Sequence, residues 1–155
     1  MTSIVFTKSR DVFSGIIRWA TRSRVSHVGV GFEIDGVHVV AHAYGVGGVQ
    51  ISRRSRFLSG RKLVAEFVVE ERVSLKNVVE TLGDRYDYES IVFFVPVIVF
   101  RWFGRKFKKP WVSSDAAVCS ELVCRLHTTA FFGLDPETVT PQDLLVRCQS
   151  RLPRA

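Results

Sequence analysis

The spacing of apolar residues along this chain alternates between a period near two and a period near 3.6, which divides it into strands and helices. Ser3 to Thr7 predicts a short strand. Asp11 to Arg22 has helical spacing, with Val12, Phe13, Ile16, Ile17 and Ala20 on one side. Two β-rich runs follow, Ser26–Ile34 and Val37–Tyr44, joined by Asp35-Gly36. That dipeptide predicts a hairpin, because Asp and Gly accept the positive φ of a type I′ turn. Val49–Ser52 and Leu63–Val69 add two strands. Ser74 to Leu82 predicts a helix capped by Ser74 and ended by Gly83. A long apolar helix is expected over Tyr88–Phe103, another from about Val118 to Thr129, and a last one begins at Thr140-Pro141-Gln142-Asp143, with Thr140 as N-cap and Pro141 in the first turn. Strands in the middle with helices toward the ends predict an α+β domain on an antiparallel sheet. No repeat or Gly/Ser/Pro linker divides residues 1–155, so one domain is expected.

The hairpin also fixes which side chains meet. With Asp35 and Gly36 as the turn residues, Ile34 opposes Val37, Glu33 opposes His38, Gly29 opposes His42 and His27 opposes Tyr44. Side chains alternate faces. One face then carries Val28, Val30 and Phe32 against Ala43, Ala41 and Val39. The other carries His27, Gly29, Gly31 and Glu33 against Tyr44, His42, Val40 and His38. His27 and His42 become diagonal neighbours, close enough for their rings to meet. Gly29 and Gly31 are expected to leave that face open for something to pack or bind. A lone strand histidine such as His38 is ordinarily a solvated or hydrogen-bonded residue, whereas two imidazoles converging on one surface point toward chemistry.

Composition narrows the classes. Apolar residues are 46% and charged residues 24% of the 155, which excludes a disordered or low-complexity chain. The net charge of +7 favours anionic partners, such as a membrane surface, a cell-wall polymer or nucleic acid, without choosing among them. Ile91 to Phe100 is an unbroken apolar run, but spanning a bilayer as a helix takes roughly 20 residues. Followed by Arg101, Arg105, Lys106, Lys108 and Lys109, with Trp102 and Trp111 nearby, it suits a core helix or a segment dipping into an anionic membrane surface. The N-terminal residues lack the pattern of a secretory signal, so a cytoplasmic location is expected. Three cysteines, Cys119, Cys124 and Cys148, form an odd set without a CxxC pair, so no disulfide is expected. Neither their spacing nor that of the histidines suits zinc. The basic runs Arg53-Arg54-Ser55-Arg56, Arg61-Lys62 and Arg105–Lys109 read as solvated faces or phosphate contacts. No phosphate loop or RNA-binding aromatic motif accompanies them, and nucleic acid is not an expected partner.

Cys119 lies near the start of the helix predicted from Val118, where unpaired N–H groups and the helix dipole favour an anion. A thiol there is expected to lose its proton more readily and to be a better nucleophile. Cys124, five residues on, is rotated about 140° away and, like Cys148, reads as a small buried hydrophobe. The same plain reading stands for Cys119 unless a base and an orienting group lie beside it. His27 and His42 are the candidates for both.

Taken in order, SHVGV at 26–30, AHAYGVGGV at 41–49, GDRYDYES at 83–90 and VCSELV at 118–123 resemble the NlpC-like cysteine peptidase superfamily. With histidine before cysteine, the chain resembles the circularly permuted, YiiX-like branch of the papain-like fold, over roughly residues 25–125. The resemblance implies a cysteine at a helix N-terminus packed on a sheet that bears the histidine. Cys119 would be the nucleophile and His27 the general base. The third, orienting position in YiiX-like members is commonly a glutamate before an alanine; here His42 precedes Ala43. Tyr86 resembles a family tyrosine near the site, with a role in substrate or oxyanion binding.

The implied activity is acyl transfer through a thioester, without metal or organic cofactor. The expected substrate is a peptide amide, as in cell-wall peptides. A lipid ester or amide is the alternative, since permuted relatives include acyltransferases and phospholipases of the lecithin–retinol acyltransferase kind. The rival from another class is a non-catalytic basic module that contacts anionic membrane or nucleic acid. Delivery by phage or release on lysis would reconcile a cytoplasmic location with a cell-wall substrate.

Overall fold

The computed structural model describes residues 2–9, 14–15, 18–19, 23–44, 48–70, 73–83, 119–127, 134 and 139–154. Five strands form one antiparallel sheet: β1 (Thr2–Ser9), β2 (His27–Ile34), β3 (Val37–Tyr44), β4 (Gly48–Arg53) and β5 (Arg61–Val69), in the spatial order β4-β3-β2-β1-β5. Among the described residues the helices with full bounds are α1 (Arg54–Leu58), α2 (Leu75–Thr81), α3 (Cys119–Leu126) and α4 (Pro141–Arg151). The fold is therefore α+β on an antiparallel sheet. Ser14, Gly15, Arg18 and Trp19 are helical, within the helix expected over Asp11–Arg22. The apolar helix expected over Tyr88–Phe103 lies outside the described residues. Among the described residues, no helix is long and apolar enough to cross a membrane.

The β2–β3 hairpin has the register that its turn dictates. Asp35 and Gly36 take φ values of 48° and 77°, as a type I′ turn requires. Ile34 pairs with Val37, Glu33 with His38 and Val30 with Ala41. Alternation then sends Val28, Val30, Ala41 and Ala43 into the main core with Ile4, Phe6, Phe67 and Val69. Leu122, Val123 and Leu126 of α3 and Leu144, Leu145 and Cys148 of α4 close that core from one side. Phe6 meets Phe67 edge to face, with ring centroids 5.9 Å apart. Each fully buried side chain of this size contributes about 1.5–3 kcal/mol of burial free energy, which is why the helices stay on the sheet.

Local capping places α4 and, through it, α3. Thr140 Oγ1 accepts from the Asp143 N–H at 3.1 Å, while Asp143 Oδ2 accepts from the Thr140 N–H at 3.0 Å, a reciprocal capping box with Pro141 in the first turn. Ser120 Oγ donates to the Val139 carbonyl at 2.8 Å and ties the start of α3 to the residue before that cap. Ser74 occupies the expected N-cap of α2 but makes no side-chain capping bond.

The other face of the sheet departs from expectation. α1 was not expected: it is five residues long and carries a single buried anchor, Phe57, which clusters with Val5 and Val40. Gly29 and Gly31 do not leave this face open. A Cβ built on Gly29 would lie 2.6 Å from Val40 Cγ1, 3.0 Å from the Ala41 carbonyl oxygen and 3.3 Å from His42 Cβ; one on Gly31 would lie 2.5 Å from Ser3 Oγ. Neighbouring side chains already fill the space that the missing Cβ atoms vacate, so these glycines permit close packing and provide no vacant surface.

Gly29→Ala is accordingly expected to destabilise the protein by about 1–3 kcal/mol, since a branched Val40 and a carbonyl must both give way. Chemical denaturation of the two proteins measures this. An unchanged midpoint would contradict the close packing around His42.

Candidate functional site

His27 opens β2 opposite Thr7 of β1, and His42 sits on β3 opposite Gln50 of β4. The hairpin brings the two rings together, as its register predicts. His27 Nε2 and His42 Nδ1 are 3.4 Å apart, a long hydrogen bond, with the rings edge to face at 5.5 Å between centroids. His42 Nε2 in turn lies 3.1 Å from Ser52 Oγ. Ser52 opposes Val40 and is diagonal to His42 across the β3–β4 pair. The result is a chain of polar contacts, His27–His42–Ser52, crossing three strands.

An apolar ring and a cation cover this chain. Phe57 of α1 stands 4.9 Å from the His42 ring and 5.7 Å from the His27 ring, centroid to centroid. The Arg61 guanidinium lies 5.1 Å from the centre of the Phe57 ring and donates to the Phe57 carbonyl at 2.7 Å. Both contacts hold Arg61 near the imidazoles, and its charge acts on both.

The electrostatic consequence is uniform. His42 is 2% exposed, and burial, reinforced by Arg61, pushes its pKa down to about 4. His27 is held well below its ordinary value by burial first, then by His42 and by Arg61. At neutral pH both rings are therefore neutral, each with one donor and one acceptor nitrogen.

Cys119 is the first described residue of α3, which packs against β2 and β3. Its side chain is 3% exposed and belongs to the main core. The backbone N–H of Val28, the residue that follows His27, acts on the thiol and favours its charged form. The thiol is not the acidic group expected of a helix start. Burial pushes its pKa up to about 11, although the N–H groups of Val28, Ser120 and Cys119 itself, and the Arg61 charge, all pull the other way. In a site this dry the cost of desolvating a thiolate exceeds what the helix end and four favourable partners return.

The remaining candidates fall elsewhere. Tyr86 lies outside the described residues, as do the apolar run at 91–100 and the basic run at 105–109. Glu121 accepts from Arg125 at 2.9 Å, one helical turn along α3. Cys124 and Cys148, like Cys119, are buried thiols. Among the described residues no cluster of three or more His, Cys, Asp or Glu side chains converges in a way that would hold a metal ion. Ser52, Phe57 and Arg61 are the site residues that reading the sequence missed. Ser52 had a signal, its place on the strand after His42. Phe57 and Arg61 had none, because Phe57 lies within, and Arg61 just after, a helix too short to show a period.

With a pKa near 11, about one thiol in ten thousand is ionised at pH 7. Alkylation of Cys119 by iodoacetamide, followed by mass spectrometry, is expected to keep speeding up between pH 7 and 9 without levelling off. A plateau below pH 8 would contradict the buried, protonated thiol.

No family model matches this chain, and no curated protein matches it. Among solved structures, the chain is similar to the metalloprotein yiiX from Escherichia coli O157:H7, a DUF1105 protein, at 22% sequence identity and a TM-score of 0.49. The match covers 85% of this chain and 66% of that one, so the chain spans just under two thirds of the length of the protein it matches.

Proposed function

We propose that this protein is a cysteine hydrolase with a permuted papain-like arrangement, working through Cys119, His27 and His42. The observation that carries the reading is the hydrogen-bonded His27–His42–Ser52 chain, whose first residue directly precedes Val28, the backbone N–H of which acts on the Cys119 thiol. The order of the motifs SHVGV and VCSELV along the chain supports the same assignment.

The chemistry follows from the protonation states. With His27 Nε2 occupied by His42, Nδ1 is the nitrogen left to take a proton. Both partners start neutral, so Cys119 does not attack as a preformed thiolate. His27 Nδ1 takes the thiol proton as the sulfur–carbon bond forms at the substrate carbonyl. The imidazolium, oriented by His42, then returns that proton to the leaving nitrogen as the carbon–nitrogen bond breaks, leaving a thioester on Cys119. A water molecule, deprotonated by the same imidazole, releases the acid and restores the thiol. The Cys119 N–H would serve as one donor to the developing oxyanion. The bond cleaved is a peptide amide of the cell-wall type.

The test is to incubate the protein and its Cys119→Ala and His27→Ala variants separately with muropeptides and with phospholipid vesicles, and to follow the products by mass spectrometry. Cleavage of the amide by the parent protein is expected, with a loss of at least about a thousandfold in either variant and an unchanged melting temperature. Cleavage of only the lipid would move the substrate class and keep the mechanism. Activity that survives Cys119→Ala would overturn the reading.

A further inference from the structure

Two neutral imidazoles in contact can be protonated in two ways, and only one of them gives a base. If His27 Nε2–H donates to His42 Nδ1, then His42 carries its proton on Nε2 and donates it to Ser52, and His27 Nδ1 is unprotonated. If every donor is reversed, the Ser52 hydroxyl donates to His42 Nε2, His42 Nδ1–H donates to His27, and His27 Nδ1 carries a hydrogen. The second arrangement has nothing with which to accept a thiol proton. The group at the far end of the chain therefore has leverage over the near end, although it lies two residues along β4 from the cross-strand partner of His42.

We propose that Ser52 is a positioning residue, whose hydroxyl oxygen accepts from His42 Nε2–H and so holds both imidazoles in the tautomer that leaves His27 Nδ1 able to take a proton. The geometry is 3.1 Å from Ser52 Oγ to His42 Nε2 and 3.4 Å from His42 Nδ1 to His27 Nε2. Burial of His42 under Phe57 leaves water poorly placed to stand in for that hydroxyl. The proposal rests on the hydrolase reading for its purpose, but the tautomer it predicts is a property of the resting protein.

The experiment is a long-range proton–nitrogen NMR correlation on the full chain labelled with ¹⁵N-histidine, which reports which ring nitrogen carries hydrogen. It is run on the parent protein, Ser52→Ala and Ser52→Thr, with Cys119 alkylation measured in parallel at pH 7. The parent is expected to show His42 and His27 both as the Nε2–H form. Ser52→Ala is expected to give a mixture of tautomers at His42 and roughly tenfold slower alkylation, the low end of the about 10–100-fold effect of removing the outer hydrogen-bond partner of a metal-bound histidine. Ser52→Thr, which keeps the hydroxyl, is expected to stay within about twofold of the parent. A His42 proton on Nδ1 in the parent overturns the proposal, and needs no variant to fold. So does Ser52→Ala leaving both readouts unchanged. If Ser52→Ala shifts the His42 tautomer while neither it nor His27→Ala alters alkylation, Ser52 retains its hold on His42 and the hydrolase reading is what falls.

Discussion

Side chains on a strand alternate faces, so the register of β2 against β3 decides where every polar group of this protein goes. A slip of one residue would put both histidines into the main core and expose Val28, Val30, Ala41 and Ala43. The positive φ values of Asp35 and Gly36 prevent that slip, and the apolar face reinforces them through α3 and α4. Everything at the site inherits this one constraint: the contact between His27 and His42, the reach of His42 to Ser52, and the approach of Cys119 to the backbone of Val28.

The same packing that positions the groups also sets their charge. Phe57 packs against both imidazoles and Arg61 adds a positive charge that acts on both, so protonation is disfavoured twice. On the other face α3 buries the thiol and disfavours its ionisation. A histidine that resists a proton and a thiol that resists losing one do not form an ion pair at rest. An open site at a helix end would have produced the opposite state from the same residues.

The parts of this arrangement that were legible in the sequence are those with local causes. Asp35-Gly36 gave the hairpin and its register, and Thr140-Pro141 gave the start of α4, because turn and cap chemistry is written in adjacent residues. The convergence of His27 and His42 followed from that register alone. What could not be read depends on tertiary packing. α1 spans five residues among arginines with one apolar anchor, too little to show a helical period. The Gly45–Gly47 connection carries no two-residue turn signal, so nothing fixed the β3–β4 register that brings Ser52 to His42. Gly29 and Gly31 suggested an open surface, but whether a missing Cβ makes a vacancy depends on the methyl groups of Val40 and Val5 opposite. The direction of the Cys119 shift turned on burial, which outweighed the helix end that the sequence did reveal.

The central claim is that both imidazoles are neutral at rest, and a pH titration of the His27 and His42 ring protons by NMR addresses it most directly. His42 is expected to titrate near about pH 4 and His27 to stay neutral well below 6.5. Either ring titrating at or above about 6.5, the ordinary value for histidine, would show that burial and Arg61 do not hold it neutral and would contradict the account.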